Sequence, residues 1–152
     1  GFHFNDSKYG DDDLTTGSIK PYQLFLVFNE LVDAAEEGLD GFDPDYMIDQ
    51  SHNVKDPIEA FLQTVDQLQR AYAKALLVDR DALAAYHDQN DVLMAEQTLK
   101  AAYEADVSAL VAEARRRQGG ALDPLAAFRA AGYRRTKHEE RSEGEYAPPQ
   151  SL

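Results

Sequence analysis

The first half of the sequence repeats one pattern, a short strand followed by a loop and a helix. Residues 1–5 alternate, with Phe2 and Phe4 on one face and His3 on the other, which is the two-residue period of a β-strand. Residues 46–51 have the length of a second short strand, apolar until Asp49 at its C-terminal end. Two consecutive strand–helix units predict an α/β fold with parallel strands, because a crossover helix returns the chain to the same end of the sheet.

The helix of each unit has recognisable ends. Apolar residues recur every three or four positions across residues 21–36, with a proline in the first turn and Gly38 beyond the last, and Ser18 is the predicted cap. In the second unit, Asp56 is the predicted N-cap and Pro57 the first helical residue. Because two strands alone do not make a stable sheet, the sequence predicts further strands from a longer chain.

The second half has a different character. Residues 81–118 are rich in Ala, Leu, Glu and Arg without a strand pattern, which predicts one long helix or two helices separated near Asn90. A short helix is predicted over residues 124–130, followed by a charged tail. We therefore divide the chain into residues 1–78, with the two strand–helix units, and residues 79–152, a helical extension with a charged tail.

Charge and composition exclude several classes of protein. With 15 Lys and Arg against 28 Asp and Glu, the net charge of -13 repels phosphate backbones and anionic lipids, so neither nucleic acid nor membrane is an expected partner. The chain contains no cysteine and no apolar run of membrane-spanning length, and we expect a cytoplasmic protein. Gly1 stands where a complete chain has its initiator Met, so we expect the sequence to be cut from a longer one.

Four residues are candidates for a metal site. His3 lies on the first strand, Asp11 and Asp13 lie in the acidic loop of residues 6–17, and Asp49 ends the second strand. Parallel strands bring their carboxyl ends and the following loops to one edge, and imidazole with carboxylate suits a divalent cation. The alternatives are an ordinary histidine and a solvated acidic loop.

An EF-hand does not fit the acidic loop. Counting from Asp11, the sixth position is Thr16 and the twelfth is Tyr22, so the required Gly and Glu are both missing. Calcium binding of the EF-hand type is therefore excluded.

The string HFNDSKYGDDDL at residues 3–14, followed by GSI at 17–19 and YMIDQSHN at 46–53, closely resembles the broad-specificity bacterial L-rhamnose isomerases. These enzymes belong to the xylose-isomerase-like TIM barrels. The resemblance implies that residues 1–78 are the last two β/α units of a (β/α)8 barrel and that a helical C-terminal extension follows. The chain would then be a C-terminal fragment.

The same resemblance implies roles for individual residues. His3 and Asp49 would bind a structural metal ion, and Asp11 and Asp13 a second, catalytic ion. Asp49 would also assist ring opening, and Ser51 would line the substrate pocket. The expected cofactors are two divalent ions, Mn²⁺ foremost, with Mg²⁺, Co²⁺ or Zn²⁺ as alternatives.

The implied activity is interconversion of L-rhamnose and L-rhamnulose, and of related aldoses, by a metal-assisted 1,2-hydrogen shift in a homotetramer. The residues leave a hydride route and an enediol route open. Because the remaining ligands would lie on upstream strands, we expect the isolated chain to be inactive. Two alternatives stay open: a non-catalytic helical interaction module, and a metal-dependent epimerase or endonuclease on the same barrel.

Overall fold

A computed structural model describes residues 1–51 and 55–144 of the chain. Residues 52–54 and 145–152, which include His52 of the resembling string and the end of the predicted tail, lie outside the described residues. The described strands are β1 (Phe2–Phe4) and β2 (Tyr46–Ile48). The described helices are α1 (Pro21–Glu36), α2 (Pro57–Ala75), α3 (Arg80–Asp88), α4 (Val92–Glu104), α5 (Ser108–Arg117), α6 (Pro124–Ala130) and α7 (Tyr133–Gly144).

The predicted fold class, a portion of a TIM barrel, is wrong. The described chain is a small, mainly helical domain in which β1 and β2 form a two-stranded parallel sheet. The strands pair in register over three residues only, from Phe2 with Tyr46 to Phe4 with Ile48. Alternation of strands and helices was correctly predicted for the first half, but strands this short bury little, so helix packing determines the architecture.

The core lies between helices rather than against the sheet. Helices α1 and α2 form the most extensive helix pair, and Phe25 of α1 is fully buried. Tyr103 of α4 packs edge-on against Tyr22 at 4.9 Å between ring centroids and also contacts Phe25. Strand β1 joins this core through Phe4, whose ring stacks on Phe28 at 5.4 Å. Phe4 thereby turns the neighbouring His3 towards solvent, since successive strand residues face opposite sides.

A capping side chain was predicted at the start of both long helices, but the structure shows one only in α2. In α2, Asp56 is the N-cap, as predicted, and its Oδ1 accepts hydrogen bonds from the main-chain N–H groups of Ile58 and Glu59 at 3.0 and 3.1 Å. In α1, the predicted capping by Ser18 is wrong, because Lys20 occupies the N-cap position and its side chain makes no capping bond. The amino end of α1 therefore needs an acceptor from elsewhere.

The second half is divided more finely than predicted. The break near Asn90 is confirmed: Asn90 has a positive φ of 56° between α3 and α4. A further break between Glu104 and Ser108 separates α4 from α5, where Asp106 accepts a hydrogen bond from the Ser108 N–H at 2.9 Å. Helix α6 was predicted with its observed bounds. None of the helices in the described part of the chain combines the length and apolarity needed to cross a bilayer.

Arg115 joins α5 to α2 at a contact that we call the α2–α5 junction, defined by Asp66, Gln69, Arg115 and Leu122. The Arg115 side chain is 9% exposed and donates to Asp66 Oδ1 at 2.6 Å, to Gln69 Oε1 at 2.8 Å and to the Leu122 carbonyl at 3.0 Å. Burial raises the pKa of Asp66, but hydrogen bonds and charge from Arg115 and Arg70 outweigh it and leave that pKa lowered. Each of the three guanidinium nitrogens of Arg115 thus has an acceptor inside the protein.

Candidate functional site

The parallel pairing of the two short strands brings together His3, in the middle of β1, and Asp49, directly after β2. His3 Nδ1 lies 3.1 Å from Asp49 Oδ2, and the Asp49 N–H donates to the Phe4 carbonyl at 3.1 Å, which continues the strand pairing. We call His3 and Asp49 the strand-end pair. Its side chains are 58% and 61% exposed, so both remain open to a ligand.

The acidic loop is closed at its base by Asp6. The main-chain groups of Asp6 and Leu14 bond reciprocally at 2.9 and 2.7 Å. The Asp6 side chain accepts from Ile19 N–H at 2.7 Å, Lys20 N–H at 2.9 Å and Ser7 N–H at 2.9 Å, and the residue is 7% exposed. Asp6 therefore holds the turn that leads into α1, including the N–H group of the N-cap residue Lys20. Sequence reasoning missed Asp6, although the absence of a capping residue directly before Pro21 was a signal that a distant acceptor exists.

Asp12 organises the tip of the loop. One carboxylate oxygen, Oδ2, accepts the N–H groups of Lys8 and Tyr9, both at 2.7 Å, and of Gly10 at 3.2 Å. These bonds lower the pKa of Asp12, the one from Tyr9 most and then those from Lys8 and Gly10, because they stabilise the ionised form. We call Asp11, Asp12 and Asp13 the acidic triplet. Within it, Asp12 therefore has a structural role.

Asp13 ties the loop to the end of β2. Its carbonyl accepts the Ser51 N–H at 2.7 Å and the Ser51 hydroxyl at 3.3 Å, and its Oδ1 accepts the Asn5 amide at 2.9 Å. The Asp13 backbone is left-handed, with φ of 49°. The Ser51 hydroxyl, predicted to line a substrate pocket, thus donates its hydrogen bond to the loop. Asp11 is exposed and makes no hydrogen bond with a described residue.

The predicted ligands fit a metal ion only in part. The strand-end pair offers an imidazole and a carboxylate in contact, which is a suitable donor set for a divalent cation. Asp11 and Asp13 are not brought to it: within residues 1–51 and 55–144, no three His, Asp or Glu side chains converge closely enough to hold an ion. The described chain therefore offers two ligands at one point, and their role as ligands stays a prediction.

A cavity of about 370 Å³ is lined by His3 of the strand-end pair, while Asp49 is not among its lining residues. Phe2 and Val27 contribute to its apolar wall. The polar residues along it include His3, Asn5, Ser7, Lys20 and Gln23. A cavity with one apolar wall and several hydrogen-bonding groups suits a small polyhydroxylated molecule.

No model of a known protein family matches the chain. It is similar to a probable sugar isomerase of Mesorhizobium japonicum, with 64% identity over 141 residues, which are 93% of this chain and 33% of that protein. It is also similar to a probable sugar isomerase of Rhizobium meliloti, with 60% identity over the same shares of both chains. The chain thus spans about a third of the length of these curated relatives.

Proposed function

We propose that this chain is a section of a metal-dependent sugar isomerase that interconverts L-rhamnose and L-rhamnulose and accepts related aldoses. The observation that carries the proposal is the strand-end pair, His3 and Asp49, which places an imidazole 3.1 Å from a carboxylate in an exposed position. Identity of 60–64% with two proteins named probable sugar isomerases supports the general activity. The choice of sugar rests on the resemblance of residues 3–14 and 46–53.

In this proposal His3 and Asp49 would hold one divalent ion, with Mn²⁺ as the first choice, and Asp11 and Asp13 a second. The first assignment is supported by the contact between the two side chains. The second rests on the sequence resemblance. Further ligands would come from residues beyond those described. When bound, such ions polarise the carbonyl and hydroxyl oxygens of an open-chain sugar as Lewis acids.

The chain's own residues have defined tasks. Conversion of an aldose to a ketose moves a hydrogen from C2 to C1 and a proton from O2 to O1, so no external oxidant or reductant is required. Asp49, whose side chain is 61% exposed, is suited to take the proton from O1 and return it to the ring oxygen as the bond between C1 and that oxygen breaks, which leaves C1 doubly bonded to O1. The polar lining beside His3 would hold sugar hydroxyls, and Ser51 would act through its hold on Asp13.

The test uses the full-length protein that contains this chain, stripped of metal with a chelator and reloaded with Mn²⁺. We expect conversion of L-rhamnose to L-rhamnulose to require Mn²⁺ and to fall by at least about 100-fold in the double variant D11N/D13N, since it removes both carboxylates proposed for the catalytic ion. The 152-residue chain alone should show no turnover, because among residues 1–51 and 55–144 the contact between proposed ligands is limited to His3 and Asp49.

The matched control is D40N/D43N, which makes the same change in net charge at exposed positions outside the acidic loop and should leave turnover unchanged. If D11N/D13N keeps full activity and metal content, the metal-dependent proposal is wrong. If the protein isomerises other aldoses but not L-rhamnose, the proposed isomerase activity stands and the proposed substrate is wrong. By the same resemblance we propose a homotetramer, to be checked by analytical ultracentrifugation.

A further inference from the structure

Gln50 follows Asp49 directly and connects three segments of the fold. Its Oε1 atom accepts hydrogen bonds from the Thr16 N–H at 3.1 Å, the Thr16 hydroxyl at 3.4 Å and the Thr64 hydroxyl at 2.6 Å. Thr16 belongs to the acidic loop and Thr64 to α2, and these threonines are only 1% and 0% exposed. One amide oxygen therefore joins the loop, the end of β2 and a core helix.

The direction of the Gln50 amide is determined by its partners. A main-chain N–H and two hydroxyl groups converge on one atom, and an oxygen accepts from all three whereas an amide nitrogen cannot accept at all. The Nε2 atom is consequently buried and has no partner among the described residues. The bonds to the amide oxygen stabilise the fold, whereas the unsatisfied buried nitrogen destabilises it. The clearest contribution of Gln50 is the position that it gives to its neighbours.

Those neighbours are the residues of the candidate site. Asp49 precedes Gln50 and contacts His3, while Ser51 follows it and donates to the Asp13 carbonyl at 2.7 Å. The Gln50 side chain thus holds the loop at Thr16 while the adjacent main chain holds it at Asp13. Two attachments, one on each side of Leu14, fix the loop against the end of β2.

We propose that Gln50 is a positioning residue. Through Thr16 and Thr64 it holds the acidic loop in a fixed position relative to the strand-end pair. What the loop does there rests on the proposed function, whereas the attachment itself does not. Gln50 acts through the groups that it holds.

The attachment is tested by hydrogen exchange in the 152-residue chain, comparing Q50M, which has similar length and no strong acceptor, with Q50E, which keeps an acceptor oxygen. We expect the Thr16 and Ser51 amides to exchange at least about tenfold faster in Q50M, because their hydrogen-bonded segment is released, and Q50E to restore most of the protection. The control is V111A, which shortens a buried side chain on α5 and should accelerate exchange throughout the helices without selecting this loop. Uniform acceleration in Q50M, or no rescue by Q50E, would overturn the proposal.

The consequence for activity is measured in the full-length protein loaded with Mn²⁺. We expect Q50M to lower kcat for L-rhamnose by about tenfold with KM changed less than about twofold, since a displaced loop affects the reacting geometry more than sugar binding. Q50E should recover kcat, and V111A should leave it unchanged. Full activity in Q50M despite a released loop would contradict the positioning role. An unsubstituted protein without isomerase activity would contradict the proposed function instead, and the exchange experiment would still decide whether Gln50 holds the loop.

Discussion

The acidic loop and the α2–α5 junction both contain buried charged groups. They differ in whether all of their carboxylates have a partner inside the protein. At the junction, Arg115 is fully partnered and both oxygens of Asp66 receive an arginine, Oδ1 from Arg115 and Oδ2 from Arg70. In the loop, Asp6 and Asp12 are occupied by main-chain N–H groups, while Asp11 stays exposed. Asp6, Asp12 and Asp66 therefore contribute to the fold, whereas the exposed Asp11 has no hydrogen-bond partner among the described residues. Composition alone does not separate the two kinds.

The largest expected effect of a single change is at the junction. Substitution R115M leaves Gln69 Oε1 and Asp66 Oδ1 without their donor in a partly buried contact, and we expect the free energy of unfolding to fall by about 3 kcal/mol. Urea unfolding followed by circular dichroism measures it. The neighbouring R116M is the matched control: the Arg116 side chain is 65% exposed and pairs with Glu113 three residues earlier, so the unfolding midpoint of R116M should not move. Equal effects of the two substitutions would show that the junction is no more important than a surface pair.

A smaller loss is expected in the loop. Substitution D6A removes the acceptor of the Ile19 and Lys20 N–H groups just before α1 and of the Ser7 N–H group in the loop, and we expect destabilisation of about 2 kcal/mol in the same assay. Within the same loop, D11A removes an exposed carboxylate and should leave the midpoint unchanged. A destabilising D11A would refute the division between occupied and open carboxylates.

The smallest expected effect is a change in pH dependence. The folded pKa of Asp66 lies below its ordinary value of 3.8, so its stabilising contribution is fully present above that value and is lost as pH falls through the lower folded pKa. The free energy of unfolding should therefore fall less steeply below about pH 4 in D66N and in R115M than in the unsubstituted chain. Acid titration at a fixed urea concentration makes the comparison, and parallel curves for all three proteins would remove Asp66 from the explanation.

The ends of helices could be predicted from the sequence where a single residue determines them. Pro57 after Asp56, Gly38 and Asn90 act through their own backbone preferences, and the corresponding helix ends were predicted correctly. The break between α4 and α5 has no Gly or Pro and was missed. The fold class was wrong because strand–helix alternation describes local order only. Whether a sheet or a helix pair forms the core depends on contacts such as Phe25 with Tyr103, which are distant in sequence.

The candidate site was accessible in the same limited way. Strand periodicity placed His3 and Asp49 at one end of the sheet, and they are in contact there. Whether each aspartate of the triplet has a partner could not be predicted, since Asp11, Asp12 and Asp13 are chemically identical until the loop path is known. Gln50 was equally hidden, because its importance comes from Thr16 and Thr64, 34 and 14 residues away in sequence.

The left-handed backbone of Asp13 gives this residue a conformational task as well as a chemical one. At φ of 49°, aspartate and asparagine are among the few side chains that are readily accommodated, whereas alanine adds about 1–2 kcal/mol of strain. Asparagine removes the charge and keeps the turn, glycine removes both the charge and the Asn5 contact while still keeping the turn, and alanine disturbs everything at once. Comparing the three variants would separate loss of a ligand from loss of shape, which a single alanine scan of the loop would confuse.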